Sequence, residues 1–331
     1  MEETTTTIYD VARVAGVSMA TVSRVVNGNT NVKEKTKNKV LAAIKELDYR
    51  PNAVARGLAS KRTTTVGVVL PTITSSYFAG IARGVDDIAS MYNYNVILSN
   101  SDSDEEKELK IIESLLSKQV DGIVFLGTGL SPKVREALAG TKTPVILAGT
   151  IDAERELASV NINYTKAAYE CTDLLLKRHK KVAYVLGSLD DAENADRIAG
   201  YKQALEDNKI KFAKNLVFEG NYSYENGKGL VDKIIASKAE AAIVASDNTA
   251  VGLLNALLEK GIKLPDDFEI ISGSNSPITM YTNPSMSSIY QPLYDMGAVA
   301  MRLLTKLMLK EEVDEEQLIL DYEFIKRHTT K

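Results

Sequence analysis

The sequence predicts an all-α helix-turn-helix headpiece joined to an α/β two-lobed body of doubly wound parallel sheets, and three observations carry that reading. Helical periodicity punctuated by glycine fills the first fifty residues. Short apolar, β-rich runs spaced by helical stretches fill the rest, in two successive series. The charge is also divided: residues 1–62 hold 11 Lys and Arg against 6 Asp and Glu, a balance of +5, whereas the remainder holds 29 against 38, or −9. The net charge of −4 alone argues against a polyanionic partner. A basic head on an acidic body argues the other way, because it is the asymmetry of a protein that docks one end onto nucleic acid. A basic solvated face with no partner is the competing explanation.

At 331 residues and 44% hydrophobic, the chain is large enough for two or three cored domains. No run approaches the 18 apolar residues of a membrane span. Met1-Glu2-Glu3 and four threonines supply neither the basic start nor the apolar run of a signal peptide, so a cytoplasmic, nucleoid-associated location is expected. Cys171 is the one cysteine, which excludes an intrachain disulfide, and its apolar neighbours predict a buried, inert thiol. His179 and His328 are each flanked by Lys or Arg and read as exposed, so neither a metal site nor a catalytic triad is expected. Gly227-Lys228-Gly229 lacks the spacing and hydroxyl of a P-loop, and Gly127-Thr128-Gly129 lacks a third glycine. Neither an enzyme nor a resident cofactor is expected.

In the first segment, Thr7 and Asp10 have the spacing of a capping box ahead of the stripe Ile8, Val11, Ala12, Ala15. Gly16 supplies a left-handed stop. Ser18 caps a second helix from Met19 to Asn27, with Val22, Val25 and Val26 inward. A third runs from about Lys33 to Leu47 on Val40, Leu41, Ile44 and Leu47, and Pro51 stops it. Two short helices across a glycine turn, braced by a third, form a helix-turn-helix whose second helix enters the major groove. On its exposed face, Arg24 suits a bidentate pair with guanine, and Met19 and Ala20 suit thymine methyls. Tyr9, Ser18, Thr21 and Ser23 carry hydroxyls that suit phosphate oxygens. A three-helix module that binds protein is the alternative.

The run TIYDVARVAGVSMATVSRVVNGN resembles the headpiece of the LacI family of bacterial repressors, and YRPNAVARGLAS resembles that family's hinge helix. The resemblance spans the chain. It implies a 1–50 headpiece that binds double-stranded operator DNA, with Asn27 and Asn52 among its contacts, and a hinge at 51–62 that folds on the operator. There Leu58 takes the place of the leucine wedged into the minor groove, where an apolar side chain unstacks and kinks a flexible step. For residues 63–331 it implies a periplasmic-binding-protein-like body. Lobe one would comprise about 63–160 and 291–317, and lobe two about 161–290 and 318–331, with a last strand near Leu318 to Ile325 in the second lobe. The runs at 66–71, 95–100, 121–127 and 144–149, then 159–163, 181–187, 241–246 and 269–274, read as the buried strands of two such sheets. No leucine heptads follow the last strand, so a homodimer matched to a palindromic operator is expected rather than a tetramer.

LacI-type bodies take a small effector between lobes, and the residues in the matching places are Arg197 in RIAGY, Asp247 after Ser246, and Ser274 in SGSN. Serine stands at two places where the family commonly carries longer groups that grip sugar hydroxyls, which weakens a sugar or nucleobase effector. In contrast, IYQPLYDMGAVAMRLLTKLMLKEE resembles the matching helix in the carbon-regulating branch of the family from low-GC Gram-positive bacteria. That branch takes a protein corepressor, the serine-phosphorylated phosphocarrier of the sugar phosphotransferase system. The contact residues carry over as Tyr294, Asp295, Arg302 and Lys306, with Tyr92 on a neighbouring helix. Arg302 and Lys306 are i,i+4 neighbours that suit a phosphoserine; read without the resemblance, they are a solvated basic stripe. For the hinge, Leu58→Ala is expected to leave the body folded and to weaken operator binding by about 1–3 kcal/mol. A gel-shift titration with unchanged affinity on an unbent operator contradicts the wedge.

Overall fold

The computed structural model describes residues 6–26, 31–50 and 62–331. It separates into two units, Met1–Thr63 and Thr64–Lys331. The hinge helix, with Asn52 and Leu58, and Asn27 at the end of the second helix lie outside the described residues.

The first unit holds α1 (Ile8–Ala15), α2 (Met19–Val26) and α3 (Glu34–Glu46). The Asp10 carboxylate accepts from the Thr7 backbone N–H at 3.0 Å and from its hydroxyl at 2.7 Å. Gly16 ends α1 at φ +64°, a conformation that penalises any Cβ. Val11, Ala12, Ala15, Val22, Val25, Val40 and Ala43 form the core. Leu41, expected in the buried stripe, is instead exposed. The inward positions are Val40, Ala43, Ile44 and Leu47, an i, i+3, i+4, i+7 series that leaves Leu41 a step of about 100° off the stripe.

The body begins with β1 (Thr65–Leu70), β2 (Asn95–Asn100), β3 (Gly122–Phe125), β4 (Val145–Ala148) and β5 (Ala158–Ile162). Between them run α4 (Ser76–Met91), α5 (Glu105–Ser117) and α6 (Pro132–Ala139). The chain then crosses into a second set: α7 (Tyr164–Leu176), β6 (Val182–Leu186), α8 (Ala192–Asp207), β7 (Val217–Glu219), α9 (Tyr224–Ala236), β8 (Ala241–Val244), α10 (Asp247–Glu259), β9 (Glu269–Ser272), α11 (Ile278–Tyr281) and β10 (Ser287–Tyr290). It returns through α12 (Leu293–Leu309) and β11 (Gln317–Leu320), and crosses again to β12 (Glu323–Ile325). The sheets are ordered β11-β5-β4-β3-β1-β2 and β12-β10-β9-β8-β6-β7. All pairings are parallel except β10 with β12. Each sheet carries a core on both faces, which is why its strands read as continuous apolar runs.

Further expectations change. The run at 159–163, read as the first of the second series, is β5 and joins the first sheet beside β4. The last strand is two strands. Gln317–Leu320 joins the first sheet beside β5, so 318–320 belongs with lobe one and not lobe two. Leu318 and Leu320 pack on the first core from there, covering an edge that β5 otherwise leaves unpaired. The edge strand β7 is an addition, because three residues are too short to show a period in the sequence. His179 is not a free surface side chain: its Nε2 lies 2.8 Å from Glu269 Oε1. Glu269 is fully buried and also takes Arg178 at 3.0 and 2.7 Å and the Lys331 backbone N–H at 3.0 Å, tying the C-terminal segment to β9. Cys171 is buried as expected, and burial pushes its thiol up to about 12.

Helices pack in pairs at near backbone contact. A Cβ at Gly297 of α12 would lie 1.9 Å from the Ile81 carbonyl oxygen of α4, and one at Gly84 would lie 2.0 Å from that of Tyr294. The same device joins α7 to α8 at Gly200 and α9 to α10 at Gly227 and Gly252. Nothing larger than hydrogen fits where a rigid carbonyl, rather than a flexible side chain, is the neighbour. Gly84→Ala is therefore expected to force α4 and α12 apart at a cost of about 1–3 kcal/mol, the overpacking range. Urea denaturation checks this, and an unchanged midpoint contradicts it.

Candidate functional sites

Three groups of side chains have the exposure or the concavity of a site. The first is the outer face of α2. Ser18 caps that helix, its Oγ accepting from the Thr21 N–H at 3.2 Å and lying 2.9 Å from the Thr21 hydroxyl. The cap fixes the helix start and so aims the side chains of its first turns. Met19, Ala20 and Arg24 stand exposed, Thr21 and Ser23 half-buried, and Tyr9 of α1 is exposed. Arg24 forms no ion pair among the described residues, so its guanidinium is available to an external acceptor. Burial of Val22 and Val25 beneath sets that orientation.

The second group is the water-facing side of α12. Met296, Ala300, Met301, Leu303 and Leu304 enter the first-lobe core. That burial leaves Tyr294, Asp295, Arg302 and Lys306 exposed. Tyr92, the residue that ends α4, is exposed too, next to the still more exposed Met91. Arg83 pairs with Asp87 at 3.8 Å on α4. Partial desolvation, and then the neighbouring Asp87 carboxylate, push the Tyr294 hydroxyl above its usual range, linking the two helices at the surface. Neither Arg302 nor Lys306 has an ion-pair partner among the described residues. Arg302 and Lys306 are thus two exposed cations one turn apart on the water-facing side of α12.

The third group lines a cavity of about 380 Å³ between the lobes. Arg197, Asp247 and Ser274 all reach its wall. The Arg197 guanidinium lies 4.2 Å above the Tyr164 ring and donates to Asn194 Oδ1 at 2.9 Å, which also accepts from the Tyr222 hydroxyl at 2.9 Å. Asp247 is fully engaged within the protein. Its carboxylate accepts from the Ser272 hydroxyl, from the Ser274 N–H at 3.1 Å and hydroxyl at 2.8 Å, and from the Ser276 N–H at 2.7 Å. Four donors leave little acceptor capacity for a ligand hydroxyl. Ser246 likewise donates to the Tyr222 carbonyl at 3.0 Å. Asp247 braces the loop after β9 and Ser246 the segment after β7, rather than reaching toward a sugar.

Sequence reasoning missed Glu193 and Asp191. Both lie at the start of α8, and Glu193 is buried in the cavity wall with one carboxyl oxygen lacking a hydrogen-bond partner. Burial pushes Glu193 up to about 8 and Asp191 to about 6. The only signal in the sequence is the i,i+4 spacing of Glu193 to Arg197, which reads as a surface ion pair. Among the described residues no group of His, Cys, Asp and Glu is arranged to hold a metal ion, and no helix is long and apolar enough to cross a membrane.

Comparison with known proteins finds two family models that match parts of the chain. Residues 7–52 match the model for bacterial regulatory proteins of the lacI family, and residues 171–330 match the periplasmic binding protein-like domain. Catabolite control protein A of Streptococcus mutans is 56% identical over 328 residues, covering 99% of this chain and 98% of that protein. The crystal structure of the transcription regulator CcpA of Lactococcus lactis superposes with a TM-score of 0.80 at 60% identity, over 82% of this chain and 100% of that one. The lac repressor dimer bound to operator and an anti-inducer does so at 0.88 and 26% identity, over 98% and 99%. The bracing role given to Asp247 has a direct consequence. Asp247→Ala is expected to destabilise the body by about 1.5–3 kcal/mol, because buried N–H and O–H donors lose a charged acceptor. Denaturant midpoints measure this; unchanged stability contradicts it.

Proposed function

We propose that this chain, a carbon catabolite transcription regulator that belongs to the lacI family of bacterial regulatory proteins, is licensed by a phosphoprotein docked on α12. It is a DNA-binding protein and not an enzyme. In this reading a homodimer places two α2 helices in successive major grooves of a palindromic operator. Arg24 reads a guanine in each half-site, Met19 and Ala20 meet thymine methyls, and Tyr9, Ser18, Thr21 and Ser23 contact phosphates. Asn27 and Asn52 add contacts, and Leu58 of the hinge at 51–62 opens the central step.

The observation that carries the licensing step is the pair Arg302 and Lys306, exposed, one turn apart and without acidic partners among the described residues. A phosphoserine brings a charge of about −1.5 to −2 and three acceptor oxygens, and charge-assisted pairs with it are roughly twice as strong as neutral ones. Arg302 offers the planar fork and Lys306 a point charge. Tyr294, Asp295 and Tyr92 complete the proposed contact set. The partner is the serine-phosphorylated phosphocarrier of the sugar phosphotransferase system. The state of Asp247 supports this over a sugar in the cleft, since the carboxylate that would hold hydroxyls is already saturated. Arg302→Ala is expected to abolish the rise in operator affinity that the phosphorylated carrier produces while leaving basal affinity within about 2-fold, because a substitution at an exposed site changes stability little. Lys306→Ala loses less. Titrations with the carrier phosphorylated, unphosphorylated and absent check this. Equal enhancement by both carrier forms, or full enhancement in Arg302→Ala, returns the function to a small effector near Arg197.

A further inference from the structure

The start of α8 forms a seam between the lobes that neither DNA reading nor corepressor docking uses. Three carboxylates of the second lobe meet first-lobe backbone or side chains there. Asp191 abuts Gly129, so closely that a Cβ on that glycine would fall 1.8 Å from Asp191 Oδ1. Glu193 is buried in the wall of the interlobe cavity, which the first lobe lines with Tyr77, Gly127, Thr128 and Gly149. Asp196 pairs with Arg155, in the loop between β4 and β5, at 3.3 Å. The Asp196 pair is partly exposed; Glu193 is 4% exposed and its Oε2 finds no partner. A buried carboxylate oxygen without a donor is tolerable as a neutral acid and costly as an anion.

We infer that this seam is a proton-operated latch: the lobes close on Glu193 as a carboxylic acid, and its ionisation favours their parting. The groups that face Glu193 are Arg197 and Asp191 beside it, Tyr77 of α4, Tyr164 of α7 and Tyr222 after β7. Arg197 and the amino-terminal end of α8 favour the anion. Burial outweighs them, leaving the closed-state carboxyl near 8. When the lobes part, water reaches the carboxyl and it returns to about 4.3, the ordinary glutamate value. Closure then takes up a proton, and linkage fixes the sign. The raised closed-state affinity for protons favours closure fully below the open-state value, and this preference is lost as pH rises through 8. Between those limits Glu193 alone lowers the closed-to-open ratio about tenfold per pH unit, and above 8 its effect levels off. Asp191, near 6, adds a second and lower proton to the same seam.

The test places donor and acceptor dyes on cysteines at exposed positions of α5 and α9, Lys110→Cys and Lys233→Cys, in the full chain diluted with unlabelled chains. Cys171 is buried and stays unlabelled. Energy transfer is followed from pH 5 to 9. The wild-type chain is expected to open with a fall of about tenfold per unit between pH 6 and 8, steeper below 6, that ends near pH 8. Glu193→Gln, which keeps size and a hydrogen-bonding amide, is expected to abolish the slope between pH 6 and 8. Asp191→Asn is expected to retain that slope and alter only the part below 6. Circular dichroism on each variant establishes that it is folded. Energy transfer that does not change with pH in the wild type, or the same slope in a folded Glu193→Gln variant, overturns the latch.

Discussion

The backbone contact between α4 and α12 governs the first lobe. Gly84 and Gly297 let two helices approach until one carbonyl nearly touches the other's Cα. Such an approach leaves α12 little room to rotate. The apolar positions Met296, Ala300, Met301 and Leu304 therefore turn onto the sheet, and Arg302 and Lys306 turn to water. The exposed cationic side of α12 is thus a by-product of core packing, its cations aimed by the glycine-mediated contact between α4 and α12.

The interlobe cavity is organised differently. It holds acids that a sugar-binding site would turn outward, but Asp247 is tied down by four donors and Glu193 is buried against the opposite lobe. Arg197 stays over the Tyr164 ring with an amide rather than a carboxylate as its hydrogen-bond partner. Asp247, in bracing its loop, has lost the acceptor capacity that recognition of a ligand hydroxyl needs.

Much of this is legible in the sequence because local rules and tertiary demands agree. Thr7, Asp10, Gly16 and Ser18 act where their spacing puts them, and continuous apolar runs mark strands buried on both faces. The features that escape depend on neighbours remote in sequence. Leu318 and Leu320 read as second-lobe residues, because an edge strand's sheet is decided by which edge lies open. Leu41 satisfies the rule of being apolar and near the stripe, yet Ala43 occupies the inward angle. His179 reads as surface among basic residues, and only the fold brings Glu269 to it. Glu193 reads as half of a helical ion pair, since burial against another lobe leaves no mark on composition. The residues proposed to read DNA and to dock the carrier come from the family resemblance, whose motifs suggest roles that exposure alone does not.

The central claim is that docking on α12 and operator binding are one linked equilibrium. The most direct test is the reverse titration: the affinity of the phosphorylated carrier for the full-length dimer, with and without saturating operator DNA. Linkage requires operator to tighten carrier binding by the factor by which carrier tightens operator binding, about 5–150-fold for couplings of ordinary size. Equality of the two factors is the predicted result. Carrier affinity that is unchanged by operator contradicts the account, however tightly the carrier binds.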